Sequence, residues 1–315
     1  MSLINFFDKC RFWGANRNKF LSKIYFYPIV NNIVNVVANC VLPLYFIITR
    51  NNKRYSLNGN KTERGEKVIV SLTSFPVRLP RLWLVVECML RQSVKPDRIV
   101  LYLTASQVED VEKLPKRLLQ QRDRGLEIVL CPDNIRSHTK YYYAMKENPN
   151  DVIITVDDDL FYRTDLVESL LKNHYDNPNA IIANWVKRVL PTTDKYREWP
   201  EERVPQLSYD FLVLGVGGVL YPPKCMYEDI FSVELIQKLT LTADDVWLTA
   251  MALLKGTQKY YSGYKQNFLP VLIKNNVALD SSNVGGNVNQ KCVDNINNYY
   301  QEKLGIRPFI DLVKK

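Results

Sequence analysis

The chain has 315 residues, 46% of them hydrophobic and 24% charged, the composition of an ordinary globular protein able to bury a large core in one large or two small domains. Six cysteines stand far apart with no CxxC pair, and the only histidines are His138 and His174, which argues against a zinc ribbon, a disulfide framework or a His-rich metal site and points to a reducing compartment. The net charge of +9 is concentrated: residues 1–67 carry eleven Lys or Arg against three acids, and the remainder is nearly neutral, so the basicity marks an amino-terminal segment and not a nucleic-acid-binding protein.

From Ile24 to Thr49 no residue is charged. A bilayer span needs about 20 apolar residues, but Asn31, Asn32, Asn35 and Asn39 interrupt the run and Pro28 and Pro43 bracket it. Asn31, Asn35 and Asn39 recur every fourth residue, which makes a single polar stripe on a helix. The spacing therefore predicts an amphipathic helix. With Lys9, Arg11, Arg17, Lys19 and Lys23 before it and Arg50, Lys53 and Arg54 after it, this helix either lies on an anionic membrane surface or packs on the body of the protein or a second subunit; a true span is the remaining possibility. No small-residue cleavage site follows it, so a signal peptide is not expected.

Residues 51–66 are polar and turn-rich, a linker into the main domain. Strands are then expected at 67–72, 98–103, 126–131 and 152–156, alternating with helices near 79–92, 106–122 (with a bend at Pro115) and 140–147. This alternation predicts a parallel sheet with right-handed crossovers. In open sheets of that type ligands bind beyond the carboxyl ends of the strands, where the loops at 73–78, 132–140 and 157–159 all emerge. Thr73 and Ser74 offer hydroxyls there, and Arg78 offers a bidentate fork for phosphate. Asp133, Arg136 and Lys140 add charges of both signs. Each has a plainer reading as a helix cap or a solvated side chain.

The stretch Asp151–Tyr162 (DVIITVDDDLFY) is the most informative. Its β-branched run suits a strand buried on both faces, and Asp157, Asp158 and Asp159 follow directly. Three like charges at the mouth of a buried strand raise one another's pKa, and a divalent cation relieves this. An all-oxygen site favours Mg2+ or Mn2+, usually held by one or two carboxylates plus substrate phosphates, which implies a nucleotide. The alternative is that one Asp caps the next helix and the others are solvated.

Beyond it a helix is expected near 164–174 and a strand at 180–184, then a long loop from Trp185 to Ser208 of the kind used as a lid. Phe211–Leu214 runs into Gly215, Gly217 and Gly218, where backbone can approach a ligand. A second acidic pair, Asp244 and Asp245, opens a helix with Thr242 as its N-cap and Gly256 after its end. Trp247 offers a flat apolar face of the kind sugars rest on, and one carboxylate of the pair is placed to act as a general base on an alcohol.

The strand KVIVSLTSFPVRL, the strand-end Asp157-Asp158-Asp159, Gly217-Gly218 and Asp244-Asp245-Val246-Trp247 together resemble glycosyltransferases of the GT-A fold, especially the family-2-like enzymes of bacterial surface-polysaccharide synthesis, over residues 67–282. That resemblance implies an α/β, Rossmann-like, mostly parallel sheet flanked by helices. It divides the chain into a basic amphipathic segment, 1–60, and a catalytic domain, 61–315, with a nucleotide-binding half at 67–160, an acceptor half at 161–282 and a tail at 283–315. It implies a nucleotide-sugar donor, most simply a UDP-sugar, a glycan or lipid-linked acceptor, and Mn2+ or Mg2+. Asp157 would face the nucleoside, Asp159 would ligate the metal together with Asp157, and Asp158 would assist. Asp245 would be the base with Asp244 beside it; Thr73, Ser74, Arg78, Asp133 and Lys140 would line the nucleotide pocket, and Trp247, Gly217 and Gly218 the acceptor side. The family's carboxyl-side His ligand is missing here, with Asp280, Asn287 or water as substitutes. The resemblance places the protein in the cytoplasm or at the inner face of the cell membrane. Competing readings are a nucleotidyl- or phosphotransferase using the same acidic site, and a membrane-associated scaffold without chemistry.

Overall fold

The computed structural model describes residues 1–12, 25–59, 64–190, 192–193, 195–273 and 287–313. Arg17, Lys19, Lys23 and Asp280 therefore lie outside the described residues. Ten strands are described: β1 (Val68–Thr73), β2 (Arg98–Thr104), β3 (Leu126–Cys131), β4 (Val152–Thr155), β5 (Ile181–Ala183), β6 (Val186–Arg188), β7 (Gln206–Ser208), β8 (Phe211–Val213), β9 (Val219–Tyr221) and β10 (Lys259–Tyr261). The principal helices are α1 (Leu3–Cys10), α2 (Phe26–Thr49), α3 (Leu79–Leu90), α4 (Thr139–Glu147), α5 (Leu166–Asp176), α6 (Asp244–Lys255), α7 (Val288–Leu304) and α8 (Pro308–Asp311).

The main sheet runs β3-β2-β1-β4-β9-β5-β10-β7, and β6 pairs separately with β8. β1 is parallel to both β2 and β4, and β2 to β3, as the alternating pattern requires. β9 lies antiparallel between β4 and β5, and β7 antiparallel at the edge, so the expected mostly parallel sheet has an antiparallel insertion. The strands on either side of β1 leave in opposite directions through the sequence. The crevice between the carboxyl ends of β1 and β4 is thus a topological switch point, where open sheets bind ligands.

Alternation along β1 divides the core. Val68, Val70 and Leu72 join α2, α3 and α5 on one face, while Ile69 joins α4, α6 and α7 on the other. Both faces being covered is why β1 and β4 read as continuous apolar runs. Helices α1 and α2 share this core, through Ile4, Phe7, Ala38, Leu42 and Phe46. Behind α2, the Arg91 guanidinium lies 3.9 Å from the Tyr55 ring centroid and 4.7 Å from that of Phe46, while its Nε donates to Glu87 Oε2 at 2.9 Å.

Three local expectations are corrected. The helix expected over 106–122 is only two 3-10 turns and a short helix, Lys116–Leu119, because Pro115 supplies no amide and begins the helix instead of bending one. Trp185–Ser208 is not a bare loop, since β6 and β7 form within it. The N-cap of α6 is Ala243, not Thr242. Gly256 does close α6 at φ +77, the left-handed conformation that favours glycine. The tail packs on the body: Tyr300 of α7 donates to Asp229 Oδ2 at 2.7 Å, and Phe309 stacks on Trp199 at 5.7 Å.

Candidate active site

The parallel register pairs Ser71 with Thr155. Continued three residues, it sets Ser74 opposite Asp158, and there the Ser74 hydroxyl donates to Asp158 Oδ2 at 2.6 Å. Arg78, at the start of α3, donates to the other Asp158 oxygen, lies 3.0 Å from Asp159 Oδ2, and stacks over the Phe75 ring at 5.1 Å. Asp158 is buried, and burial raises its pKa against the pull of Arg78. Asp159 is pushed up to about 6 by burial and by the charge of Asp157. Its side chain is 36% exposed and that of Asp157 28%, so these two are the open members of the triplet.

Lys140 ties this triplet to the second acidic pair. Its ammonium, buried beneath the carboxyl edge, lies 2.7 Å from Asp157 Oδ1 and 3.0 Å from Asp244 Oδ2. Burial pulls the Lys140 pKa down, but Asp157, Asp244 and Asp245 together hold it well above its ordinary value. Burial likewise works against ionising Asp244, yet Lys140 keeps that carboxyl below its usual range. Asp245 goes the other way, raised by burial and by the charge of Asp244. The two neighbours are thus driven apart in proton affinity, Asp244 toward the anion and Asp245 toward the protonated form.

The turn Gly215–Gly217 closes the site. The Gly215 amide donates to Asp245 Oδ1 at 3.0 Å. A Cβ placed on Gly215 would lie 3.0 Å from that oxygen, 3.2 Å from Lys140 Nζ and 4.0 Å from Asp157 Oδ1. Charged groups from β4, α4 and α6 therefore meet at one point over this glycine. Tyr162, buried behind them, accepts the Asp157 amide at 2.8 Å and donates to Val216 O at 3.2 Å, which joins the acidic turn to the glycine turn.

Other residues singled out from sequence are placed differently. Thr73 spends its hydroxyl on Tyr102 O at 2.8 Å, and Asp133, on the loop after β3 and three strand positions from β4, accepts from Tyr143 Oη at 2.8 Å. Trp247 is 0% exposed, with its indole NH directed at Ile230 O, so it presents no face to an acceptor: position four of α6 points into the core. Gly217 and Gly218 also fail as acceptor contacts. Gly217 abuts Trp185 and the Asn184 backbone, and Gly218, at φ +80, abuts Leu166. Their smallness serves packing, and Gly215 makes the approach. His138 is buried, with Nε2 at 2.9 Å from Thr240 O and Nδ1 at 2.8 Å from the Tyr141 hydroxyl; burial lowers its pKa, and it supports the turn before α6. Asn287 heads α7. Tyr162 and the Gly215 amide are site components that no side-chain motif announces, although the glycine cluster marked the neighbourhood.

The donor set suits a divalent cation. Among the described residues, Asp157, Asp158, Asp159, Asp244 and Asp245 meet two cations, Lys140 and Arg78, which leaves excess negative charge at the open edge beside Asp157 and Asp159. All donors are hard oxygens. Among the described residues no three acidic, His or Cys side chains close into a cage; Mg2+ is commonly held by one or two carboxylates plus a substrate's phosphates. The residues fit such a cation.

Residues 77–231 match the model of the glycosyl transferase family 2. No curated protein matches the chain. Among solved structures, the chain is similar to a mannosyltransferase from Pyrobaculum calidifontis in complex with GDP-Man and Mn2+ (12% identity, 89% of this chain and 78% of that one, TM-score 0.43). It is also similar to residues 1–349 of TarS from S. aureus (13% identity, 74% and 66%, TM-score 0.42). A third similarity is to glucosyl-3-phosphoglycerate synthase from Mycobacterium tuberculosis in complex with Mn2+, UDP and phosphoglyceric acid (12% identity, 38% of this chain, TM-score 0.30). The chain spans 43% of the length of that synthase.

Proposed function

We propose that this chain, whose residues 77–231 match the glycosyl transferase family 2 model, is a family-2-like glycosyltransferase with a GT-A-like fold that moves a sugar from a nucleotide-sugar, most simply a UDP-sugar, to a hydroxyl of a glycan or lipid-linked acceptor in cell-surface polysaccharide synthesis. The observation that carries this reading is the convergence of Asp157, Lys140 and Asp245 on one point over Gly215. Transfer to an alcohol requires a cation-binding edge beside a proton acceptor, and this convergence supports that reading.

Asp159 and Asp157 would hold Mn2+ or Mg2+, which supplies positive charge at the donor diphosphate when bound. Ser74 and Arg78 fix Asp158 and thereby the turn that carries both ligands. Asp245 takes the proton from the acceptor hydroxyl as its oxygen attacks the anomeric carbon and the bond to the nucleoside diphosphate breaks. Asp244, kept ionised by Lys140, raises the proton affinity of Asp245, and the Gly215 amide orients it. A single displacement of this kind inverts the anomeric centre. The basic segment 1–60 is the part that meets a membrane surface, on the cytoplasmic side.

The test is a thermal-shift panel of nucleoside diphosphates and nucleotide-sugars with and without Mn2+, on the wild type and Asp159→Ala. A ligand that binds only the folded state raises its melting point. A Mn2+-dependent rise with one nucleotide, lost in the variant, is expected and identifies the donor base. No rise with any nucleotide in a folded protein would leave a scaffold and end the transferase reading.

A further inference from the structure

Helix α2 is amphipathic with its sides exchanged. Its polar stripe faces the protein: Asn31 brackets the Phe12 backbone, accepting from its amide at 2.9 Å and donating to its carbonyl at 3.0 Å. Asn39 donates to Pro270 O at 2.9 Å and accepts from the Leu272 amide at 2.9 Å and from Arg81 at 3.1 Å. The opposite side carries Ile29, Ile33, Val36, Leu44 and Ile48, exposed at 53%, 57%, 56%, 61% and 80%. At 100° per residue they fall within an arc of about 120°, a continuous apolar stripe over most of the helix. Patches of this extent mark an interaction surface.

The charge around the stripe selects the occupant. Lys9, Arg50, Lys53 and Arg54 are exposed near the helix ends. In residues 1–62 the only acid is Asp8, which is 1% exposed and occupied with the Asn267 amide. The exposed charge that residues 1–62 contribute is therefore basic only. A second copy would bring two strongly basic segments together, whereas an anionic bilayer offers apolar depth and negative charge at once. Phe26–Thr49 is long and apolar enough to cross a membrane, but crossing would tear Ala38, Leu42 and Phe46 from the core and Asn39 from its partners.

We propose that the outward face of α2 docks flat on an anionic lipid surface, and that this docking holds the acidic edge beside the bilayer so that the acceptor is a lipid-linked hydroxyl. Only the second half rests on the transferase reading. The link is short: Asn39 clasps residues 270–272, the Val271 amide donates to Asp159 O at 2.7 Å, and the Phe161 amide donates to Leu269 O at 2.8 Å. One helix diameter and one strand spacing, roughly 15 Å together, separate the lipid face from the Asp159 backbone.

The experiment is flotation of the full-length protein with phosphatidylcholine vesicles, with and without phosphatidylglycerol, at low and high salt. It is run alongside Ile33→Glu/Leu44→Glu and with a polarity-sensitive fluorophore on exposed Cys40. Flotation only with the anionic vesicles, weakened by salt and reduced roughly tenfold in the double variant, with a blue shift at Cys40, is expected. Wild type that ignores anionic vesicles at low salt overturns the proposal, as does a soluble dimer dissolved by the double variant or salt-resistant insertion into neutral vesicles. Energy transfer from a fluorescent nucleotide in the site to labelled lipid tests the second half. Flotation and nucleotide binding without transfer overturns the lipid-linked acceptor, whereas flotation without any nucleotide binding overturns the transferase reading and leaves the docking surface standing.

Discussion

The Gly215 amide lies 3.0 Å from Asp245 Oδ1, and a Cβ on that glycine would lie equally close to the same oxygen. The contact places main chain, without a titrating group of its own, against the carboxylate proposed as the base. Gly215→Ala puts a methyl 3.0 Å from that oxygen and 3.2 Å from Lys140 Nζ. Because the residue is not in the left-handed region, the damage is confined to the site: about 1 kcal/mol or less in stability, and a fall in kcat of roughly 10- to 100-fold from a displaced carboxylate. Urea unfolding and steady-state kinetics check the two numbers separately.

Lys140 is the only cation within ion-pair distance of Asp157 and of Asp244 among the described residues. Lys140→Met leaves the buried Asp244 carboxylate without its cation, which costs about 3–5 kcal/mol. Protons can replace the missing charge, because buried carboxyls whose folded pKa is raised favour the folded state as pH falls through it. The gap in melting temperature between variant and wild type should therefore be wide at pH 7.5 and narrower near pH 5. A gap independent of pH would count against this account.

Asp8 supplies a second pH dependence. Burial pushes its carboxyl up to about 6, despite the Asn267 amide and Arg163 at 3.9 Å. Between its ordinary value near 4 and about 6 the folded state binds the extra proton, so stability falls as pH rises through that window, by roughly 1–3 kcal/mol. Asp8→Asn should remove this slope and make the protein more stable at pH 7, as read from urea midpoints at pH 4.5 and 7.

Two glutamates that each pair with arginine should behave very differently. Glu87 is 3% exposed and holds Arg91 and Arg124 beneath α2. Glu87→Ala takes the carboxylate from both guanidinium groups and should cost about 3–5 kcal/mol. Glu112, with its side chain 70% exposed opposite Arg122, should cost less than about 1 kcal/mol when replaced by Ala. Paired denaturation curves of the two variants measure the difference.

Much of this protein is written locally. The β-branched runs of β1 and β4 and the Asp157–Asp159 triplet after β4 are readable because burial on both faces demands apolar residues in succession, and a strand must end where charge begins. The helix periodicity of α2, its Asn stripe and the basic flanks are equally local. Which way α2 turns is not. The Asn stripe faces inward because the backbone groups of Phe12, Pro270 and Leu272 wait there, and two of those three partners are more than 200 residues away. Trp247 and Gly217 were misplaced for the same reason: periodicity gives a face, and only packing decides whether that face meets the core or the cleft. The sequence determined the elements and the residues able to do chemistry. The tertiary structure alone decided that Lys140 stands between acids 17 residues and 104 residues along the chain, because a parallel sheet brings the ends of distant strands to one edge.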